Sequence, residues 1–496
     1  MSASKCTAAM SKQFQAVRSA AIDGQVHNPI YRKTQLKKLY ESLAQHGPEI
    51  QRALLQDSGY REVEVAVEYS LALRCLKDAF EGIDPAKALQ DEYAIAHSKD
   101  TPFERAPIGI VVIKPAPHAF FFCLICAVAP ALAAGNCVIV RIQQNILQAP
   151  RTILELVGRA LDQDIFQVTY EDVKDADLGH PHVVVSQHGA SAAPTPANHL
   201  VSSSDARVMA VVERDADVDA AAKALVMARF SLGGKSPYAP DVVLVNEWVK
   251  DDFLAAATRH HIQFMPKFGD KQQGGSFSGP GLPDEIIGRD GAQILASVPD
   301  GGIVEVQARN SPLMRRKPQE PWLVIHPVTS MDGAIDLSLS LGPLGAAYVF
   351  TKPAMAKYLG QYLNANVTYV NHIPASLLFG PMAPTETPPR QESSTTCRYP
   401  ESCFTVAKPK YSSCQKLDAD LNSILYRPSH QDIQNLARSV VGELPPIERR
   451  KNGLGADIGF FHQGILTGGI VLILAVVSCT IAVGYYSLQV ARSRMP

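Results

Sequence analysis

The sequence predicts an α/β protein built on parallel sheet and followed by a C-terminal transmembrane helix. Two observations carry the first part. Short apolar runs rich in valine and isoleucine alternate with longer segments of helical periodicity, as in IGIVVIKPAP, FFFCLICAVAPALAAG and NCVIVRI. The 496 residues are 46% hydrophobic and 19% charged, which suits a large core and about three domains. The helix rests on residues 464–486, GILTGGIVLILAVVSCTIAVGYY, which carry no charge. At ~1.5 Å per residue this run reaches about 34 Å, enough for a ~30 Å hydrocarbon core.

In chain order, residues 11–90 read as helices, because YRKTQLKKLYESLAQHG and EVEVAVEYSLALRCLKDAF place apolar residues three and four apart. IGIVVI is a buried strand closed by prolines. FFFCLICAVAPALAAG is an apolar helix ending in glycine, and NCVIVRI and HVVVS are further strands. RVMAVVE, DVVLVNE, WLVIHPV and AAYVFT supply a second α/β unit. DADVDAAAKALVMARF between them is a helix with Asp215, Asp217 and Asp219 near its start, where the helix dipole favours carboxylates. Residues 269–285 and 384–403 read as Gly- and Pro/Ser/Thr-rich loops.

Lys+Arg number 47 against Asp+Glu 48, so no basic field exists to attract nucleic acid. The 9 cysteines are scattered, and MSASKCTAAMSKQ has no apolar signal core; the body is expected to be cytoplasmic with reduced thiols. Cys123 and Cys126 form a C-x-x-C inside an apolar helix with no histidine cluster, so buried thiols are expected and no metal site. Tyr485 and Tyr486 fall where an interfacial aromatic belt would lie, and Gly464 and Gly468 form a G-x-x-x-G. The expectation is a single-pass tail anchor rather than a core helix. Basic residues flank it on both sides (Arg449, Arg450 and Lys451; Arg492 and Arg494).

LGGKSPYAPD, residues 232–241, contains G-K-S, the tail of a phosphate-binding loop. That motif needs a glycine at 229, where Arg229 stands, and Pro237 removes a backbone N–H from the turn.

The order of motifs gives another reading. APIGIVVI (106–113), ALAAGNCVIV (131–140), VVERDADVDAAAKAL (211–225), YAPDVVLV (238–245), PLGAAYVF (343–350) and NVTYVNHIP (366–374) follow one another as they do in the aldehyde dehydrogenase superfamily. The chain resembles that superfamily over about residues 13–380, and most closely its membrane-anchored fatty-aldehyde and fungal apocarotenal branch. The resemblance implies an aldehyde dehydrogenase fold, a Rossmann-like cofactor domain plus an α/β catalytic domain. It divides the chain into N-terminal helices of the cofactor domain (1–95), an eroded cofactor domain (96–205), a catalytic-type domain (206–385), a loop and linker (386–460) and the transmembrane helix (464–486).

Laid on the family's motifs, Pro237 stands at the nucleophilic cysteine, Ser203 at the general-base glutamate and His118 at the oxyanion asparagine. A proline has no nucleophilic atom, and a serine hydroxyl alone cannot activate water. A histidine can still donate one hydrogen bond. Arg141 stands at the lysine that binds the adenosine ribose, keeping charge but not geometry, and is the one cofactor-binding candidate. Lys317 and Gln319 stand where the family's nicotinamide-binding glutamate and phenylalanine belong. Lys235 is an imine former if desolvated, with nothing in the sequence to show it. Cys123 reads as a structural thiol rather than a relocated nucleophile.

The resemblance therefore implies NAD or NADP as cofactor, with its retention left open. It implies an ancestral oxidation of hydrophobic aldehydes to acids, impaired at three positions. The alternative is a non-catalytic pseudoenzyme, a scaffold that binds a lipid-like ligand or pairs as a homodimer or with an active homologue at a membrane. A degenerating paralogue without a selected role reads the same way in one sequence.

Overall fold

The computed structural model describes residues 14–97, 105–189, 196, 198–264, 292–298, 301–318, 320–384, 399–408, 421–422, 424–426, 429–440 and 460–493. Gln319, the loop 269–285 and most of 384–403 lie outside the described residues. The chain divides into two compact units, residues 1–410 and 411–496.

The first unit opens with helices α1 (Gln15–Asp23), α2 (Pro29–Gln45), α3 (Gly47–Ser58), α4 (Glu62–Glu81) and α5 (Pro85–Ala96). Asn28 caps α2 by accepting from Ile30 N at 2.9 Å, and Pro29 occupies its first turn, where a missing N–H costs nothing. A five-stranded sheet follows: β2 (Ile110–Lys114), β3 (Cys137–Arg141), β4 (Phe166–Thr169), β5 (His182–Gly189) and β6 (His199–Ser203). It is parallel throughout, in the order β4-β3-β2-β5-β6. Helix α6 (Phe120–Ala133) links β2 to β3, and α7 (Gln148–Ala160) links β3 to β4. Every described residue of α6 from Phe121 to Leu132 is buried, which accounts for its unbroken apolar sequence. The chain starts at β2, winds outward one way, then resumes on the other side at β5. The crevice at the carboxyl ends of β2 and β5 is thus a topological switch point, where open α/β sheets bind ligands.

A seven-stranded sheet follows, ordered β13-β12-β7-β8-β11-β10-β9. Its strands are β7 (Arg207–Val212), β8 (Val242–Asn246), β9 (Ala292–Val298), β10 (Gly301–Val306), β11 (Trp322–Val328), β12 (Leu344–Phe350) and β13 (Thr368–Val370). All pairs are parallel except β9 with β10. Helices α8 (Val218–Phe230), α9 (Lys250–Phe264), α10 (Met331–Leu341) and α11 (Pro353–Tyr362) complete the unit. The central strands β7, β8 and β12 are buried along nearly their whole length, matching valine-rich runs covered on both faces. Two three-residue strands, β1 (Arg105–Pro107) and β14 (Thr405–Ala407), pair antiparallel, so a strand lies within the 386–460 segment expected to be loop and linker.

The second unit contains α12 (His430–Val440) and α13 (Phe460–Ser493). Leu466–Ser487 of α13 is long and apolar enough to cross a membrane by length and composition.

Candidate functional site

The carboxyl ends of β2, β3 and β5 open into a cavity of about 970 Å³, which the segment Gly234–Pro237 before β8 also lines. Pro237, His118 and Arg141, which the sequence ties to three different roles, all line it; Lys114, Lys235 and Lys317 add positive charge. Ser203 ends β6, is 8% exposed and is not among the lining residues, whereas Ser204 and Asp205 are. Among the described residues no cysteine lines the cavity; Cys123 and Cys126 are buried within α6. Among the described residues no cluster of metal-ligating side chains occurs.

Two strained turns shape the walls. Ala119 precedes α6 with φ 41°, and Leu232 follows α8 with φ 55°; both are non-glycine residues in left-handed conformation. Such strain persists only where neighbours enforce it. Helix α4 does so at both turns. Glu68 Oε1 accepts from Phe121 N at 2.9 Å and Phe122 N at 3.4 Å, and Glu64 Oε1, one helical turn earlier, accepts from Leu232 N at 3.0 Å. The two glycines of LGGK continue the left-handed turn, at φ 61° and 72°. A Cβ on Gly234 would lie 2.8 Å from Pro321 Cα, so no larger residue fits. The GGKS motif is thus a backbone requirement of this turn, not a phosphate cradle.

His118 is held at both ring nitrogens. Nε2 lies 2.8 Å from Leu378 O and so donates, which leaves Nδ1 to accept from Tyr60 Oη at 3.1 Å. Burial pushes its pKa down to about 4, with a smaller contribution from the charge of Lys235. His118 is a neutral imidazole with its donor spent on the main chain. Beside it, burial pushes Glu68 up to about 7, against the pull of the Phe122 and Phe121 amides, and its Oε2 has no hydrogen-bond partner.

Lys317 does not project into open space. Its Nζ donates to Ala206 O at 2.6 Å, to Pro237 O at 3.0 Å and to Asp241 Oδ2 at 3.3 Å. Arg229, fully buried, donates to Gly234 O at 3.1 Å, Pro318 O at 2.9 Å and Glu320 O at 2.5 Å. Burial pulls Arg229 down to about 10, so it remains a cation at neutral pH. Burial also lowers Lys317 and raises Asp241, but the two cations around that one carboxylate favour its ionised form. Sequence reading missed Arg229 as a site residue: it resembles an ordinary basic residue in the last turn of a helix. It also missed Glu64 and Glu68, although both fall on the apolar stripe of α4 with Val65, Ala72 and Cys75, where an acidic side chain must be paired or neutralised. Gln187 was missed as well; it donates to Cys123 O at 2.7 Å and accepts from Ala116 N at 3.1 Å, tying β5 to the loop after β2.

A model of the aldehyde dehydrogenase family matches residues 2–286, more than half of the chain. The chain belongs to the aldehyde dehydrogenase family. Among curated proteins it is 26% identical over 267 residues to 4,4'-diaponeurosporen-aldehyde dehydrogenase of Staphylococcus aureus, covering 48% of this chain and 56% of that protein. It is 26% identical over 377 residues to malonate-semialdehyde dehydrogenase of Listeria innocua, covering 69% and 76%. It is 25% identical over 374 residues to aldehyde dehydrogenase family 3 member B1 of Rattus norvegicus, covering 68% and 78%. The match thus spans little more than half of the staphylococcal enzyme. Among solved structures, the substrate-bound state of Staphylococcus aureus AldH superposes on 84% of this chain and 99% of its own with a TM-score of 0.61 at 19% identity, which establishes the fold.

Family membership implies NAD or NADP as the ancestral cofactor. The residues present do not match a dinucleotide at one point. Arg141 retains a charge in the crevice, but Asp172 Oδ1 engages its guanidinium at 2.9 Å.

Proposed function

We propose that this chain is a membrane-anchored aldehyde dehydrogenase relative, of the fatty-aldehyde and apocarotenal branch, that keeps a pocket for a hydrophobic aldehyde or lipid-like ligand and has lost the family's oxidation. The observation that carries this reading is the segment at the cavity wall: Pro237 presents no nucleophile, and Lys317 holds its carbonyl oxygen at 3.0 Å. Ser203 at the general-base position and the spent donor of His118 at the oxyanion position support it. Loss of a nucleophile alone costs on the order of 10⁴–10⁶ in turnover. In this reading residues 96–205 are an eroded cofactor domain and 206–385 a catalytic-type domain, each without its working groups. The helix at 464–486 is a tail anchor that leaves the body in the cytoplasm, and the partner is a second copy or an active homologue. An anchor supports the ligand class, because hydrophobic aldehydes concentrate in bilayers; the staphylococcal relative is likewise named for an aldehyde, 4,4'-diaponeurosporen-aldehyde.

The test uses the full chain in detergent micelles with NAD or NADP and long-chain aldehydes. The expected result is displacement of a fluorescent fatty-acid probe without formation of reduced cofactor. Robust turnover that thiol alkylation abolishes would overturn the reading.

A further inference from the structure

We propose that Glu68 determines ligand choice in this cavity: its oxygen Oε2 donates a hydrogen bond to the carbonyl oxygen of a long-chain ester, ketone or aldehyde. The inference rests on the pocket reading above and deepens it by naming the group that the pocket recognises. Glu68 stands on the buried face of α4, is fully buried, and lines the cavity together with Tyr60, His118 and Phe120.

Its polar neighbours there are engaged with one another. Tyr60 Oη donates to His118 Nδ1 at 3.1 Å, and His118 Nε2 donates to Leu378 O at 2.8 Å. At the start of α6 the amides of Phe121 and Phe122 donate to Glu68 Oε1 at 2.9 Å and 3.4 Å, and the Cys123 amide donates to Ala119 O at 2.9 Å. Glu68 Oε2, by contrast, has no hydrogen-bond partner.

The two amides decide which oxygen carries the proton. Oε1 accepts from both, so in the neutral acid the proton sits on Oε2 and makes it a donor. Burial pushes the carboxyl up to about 7, against the pull of the Phe122 and Phe121 amides. Tyr60 and His118 are themselves held neutral by burial, so neither supplies a charge that would ionise it. A buried donor without an acceptor costs free energy, and an acceptor brought in by a ligand recovers it. A carbonyl oxygen accepts and cannot donate, so it complements this group. Leu54, Phe120 and Leu147 line the same cavity and suit an alkyl chain.

The experiment uses the full chain in detergent micelles at about pH 6, below the titration of Glu68. It compares displacement of the fluorescent fatty-acid probe by methyl palmitate and by heptadecane, an apolar chain of similar length. In the native chain the ester is expected to bind about tenfold more tightly than the alkane, the worth of one buried hydrogen bond, and its isotopically labelled carbonyl stretch to fall in frequency on binding. Glu68→Met is expected to bring the preference within about twofold and to abolish the fall in frequency. Glu68→Gln, whose amide offers an acceptor to Phe121 N and a donor to the ligand, is expected to retain most of both. A role in holding the turn alone would leave the ester-to-alkane ratio unchanged in Glu68→Met, and that result overturns the inference while the pocket stands. Equal binding of ester and alkane by the native chain, with an unshifted stretch, overturns it in the same way and does not depend on a variant folding. Failure of both compounds to displace the probe overturns the pocket reading as well.

Discussion

The ammonium of Lys317 donates to the main-chain oxygen of Pro237 at 3.0 Å while also reaching Asp241 at 3.3 Å. Two positions some eighty residues apart, both ascribed by resemblance to catalysis and cofactor binding, are thus joined in a contact that holds a loop closed. The first prediction follows directly. Lys317→Met removes a partner of a fully buried carboxylate, leaving Arg229 Nη1 at 3.7 Å as the nearest remaining charge. Breaking a buried pair from one side costs about 3–5 kcal/mol. Urea unfolding of the variant is expected to show a loss in that range. A loss below about 1 kcal/mol would mean that the contact does not form.

On the proposed reading, a thiol placed at position 237 should not by itself bring about the family's oxidation. In Pro237→Cys the carbonyl at 237 is still available to Lys317, and on that reading the general-base position, Ser203, still carries only a hydroxyl. Reduced-cofactor formation from long-chain aldehydes is expected to stay at background in this variant, even though iodoacetamide labels the new thiol. Turnover within about a hundredfold of an ordinary ~10 per second enzyme would show that one residue alone had silenced the site.

Glu68 and His118 make stability depend on pH in opposite directions. Glu68, raised from 4.5 to about 7, stabilises the fold fully below pH 4.5, and this contribution is lost as the pH rises through 7. His118, lowered from 6.5 to about 4, stabilises above pH 6.5, and its contribution is lost as the pH falls through 4. The two slopes oppose each other between about pH 4.5 and 6.5. Glu68→Gln removes only the first, and its Oε1 can still accept from Phe121 N. Relative to the native chain, this variant is expected to be more destabilised at pH 5 than at pH 8, by about 3 kcal/mol at ~1.4 kcal/mol per unit. Parallel stability profiles would contradict a protonated Glu68.

Tyr60→Phe deletes the hydroxyl that donates to His118 Nδ1 at 3.1 Å, leaving a buried acceptor unmatched. A loss of about 1–3 kcal/mol is expected in urea unfolding. Tyr60→Phe combined with His118→Phe should lose less than the sum of the two single changes, because the second removes the group that the first orphans.

The anchor reading predicts that deleting residues 460–496 moves the chain from the carbonate-resistant membrane fraction to the supernatant. Retention of the shortened chain in the pellet would assign membrane binding to another surface.

Much of the scaffold was legible because its strands are apolar, β-branched runs. IGIVVI, NCVIVRI and HVVVS became β2, β3 and β5, and RVMAVVE, DVVLVNE, WLVIHPV and AAYVF became β7, β8, β11 and β12. Strands with weaker signals escaped. HLVSS is short and ends in serines, and the three-residue partners Arg105–Pro107 and Thr405–Ala407 meet across about three hundred positions with no local pattern to announce them. At the site, the sequence placed Pro237, His118 and Arg141, and the fold brings all three to one cavity. The side chains that fix its shape were hidden, because their partners are backbone atoms. Arg229, Lys317, Glu64 and Glu68 each bind main-chain groups of distant segments, and no residue type at the receiving end records that demand.

The Arg229 clamp bears on history as well as on shape. Its guanidinium joins Gly234 to Pro318 and Glu320, and so ties the segment before Pro237 to the segment bearing Lys317. On the proposed reading, a lineage holding this clamp has no single-step return to its ancestral reaction. A regained thiol meets a loop fastened elsewhere, and releasing Lys317 first exposes Asp241 to the low-dielectric interior. Regaining the thiol alone returns no turnover and releasing Lys317 alone costs stability, so on this reading the two changes help only together.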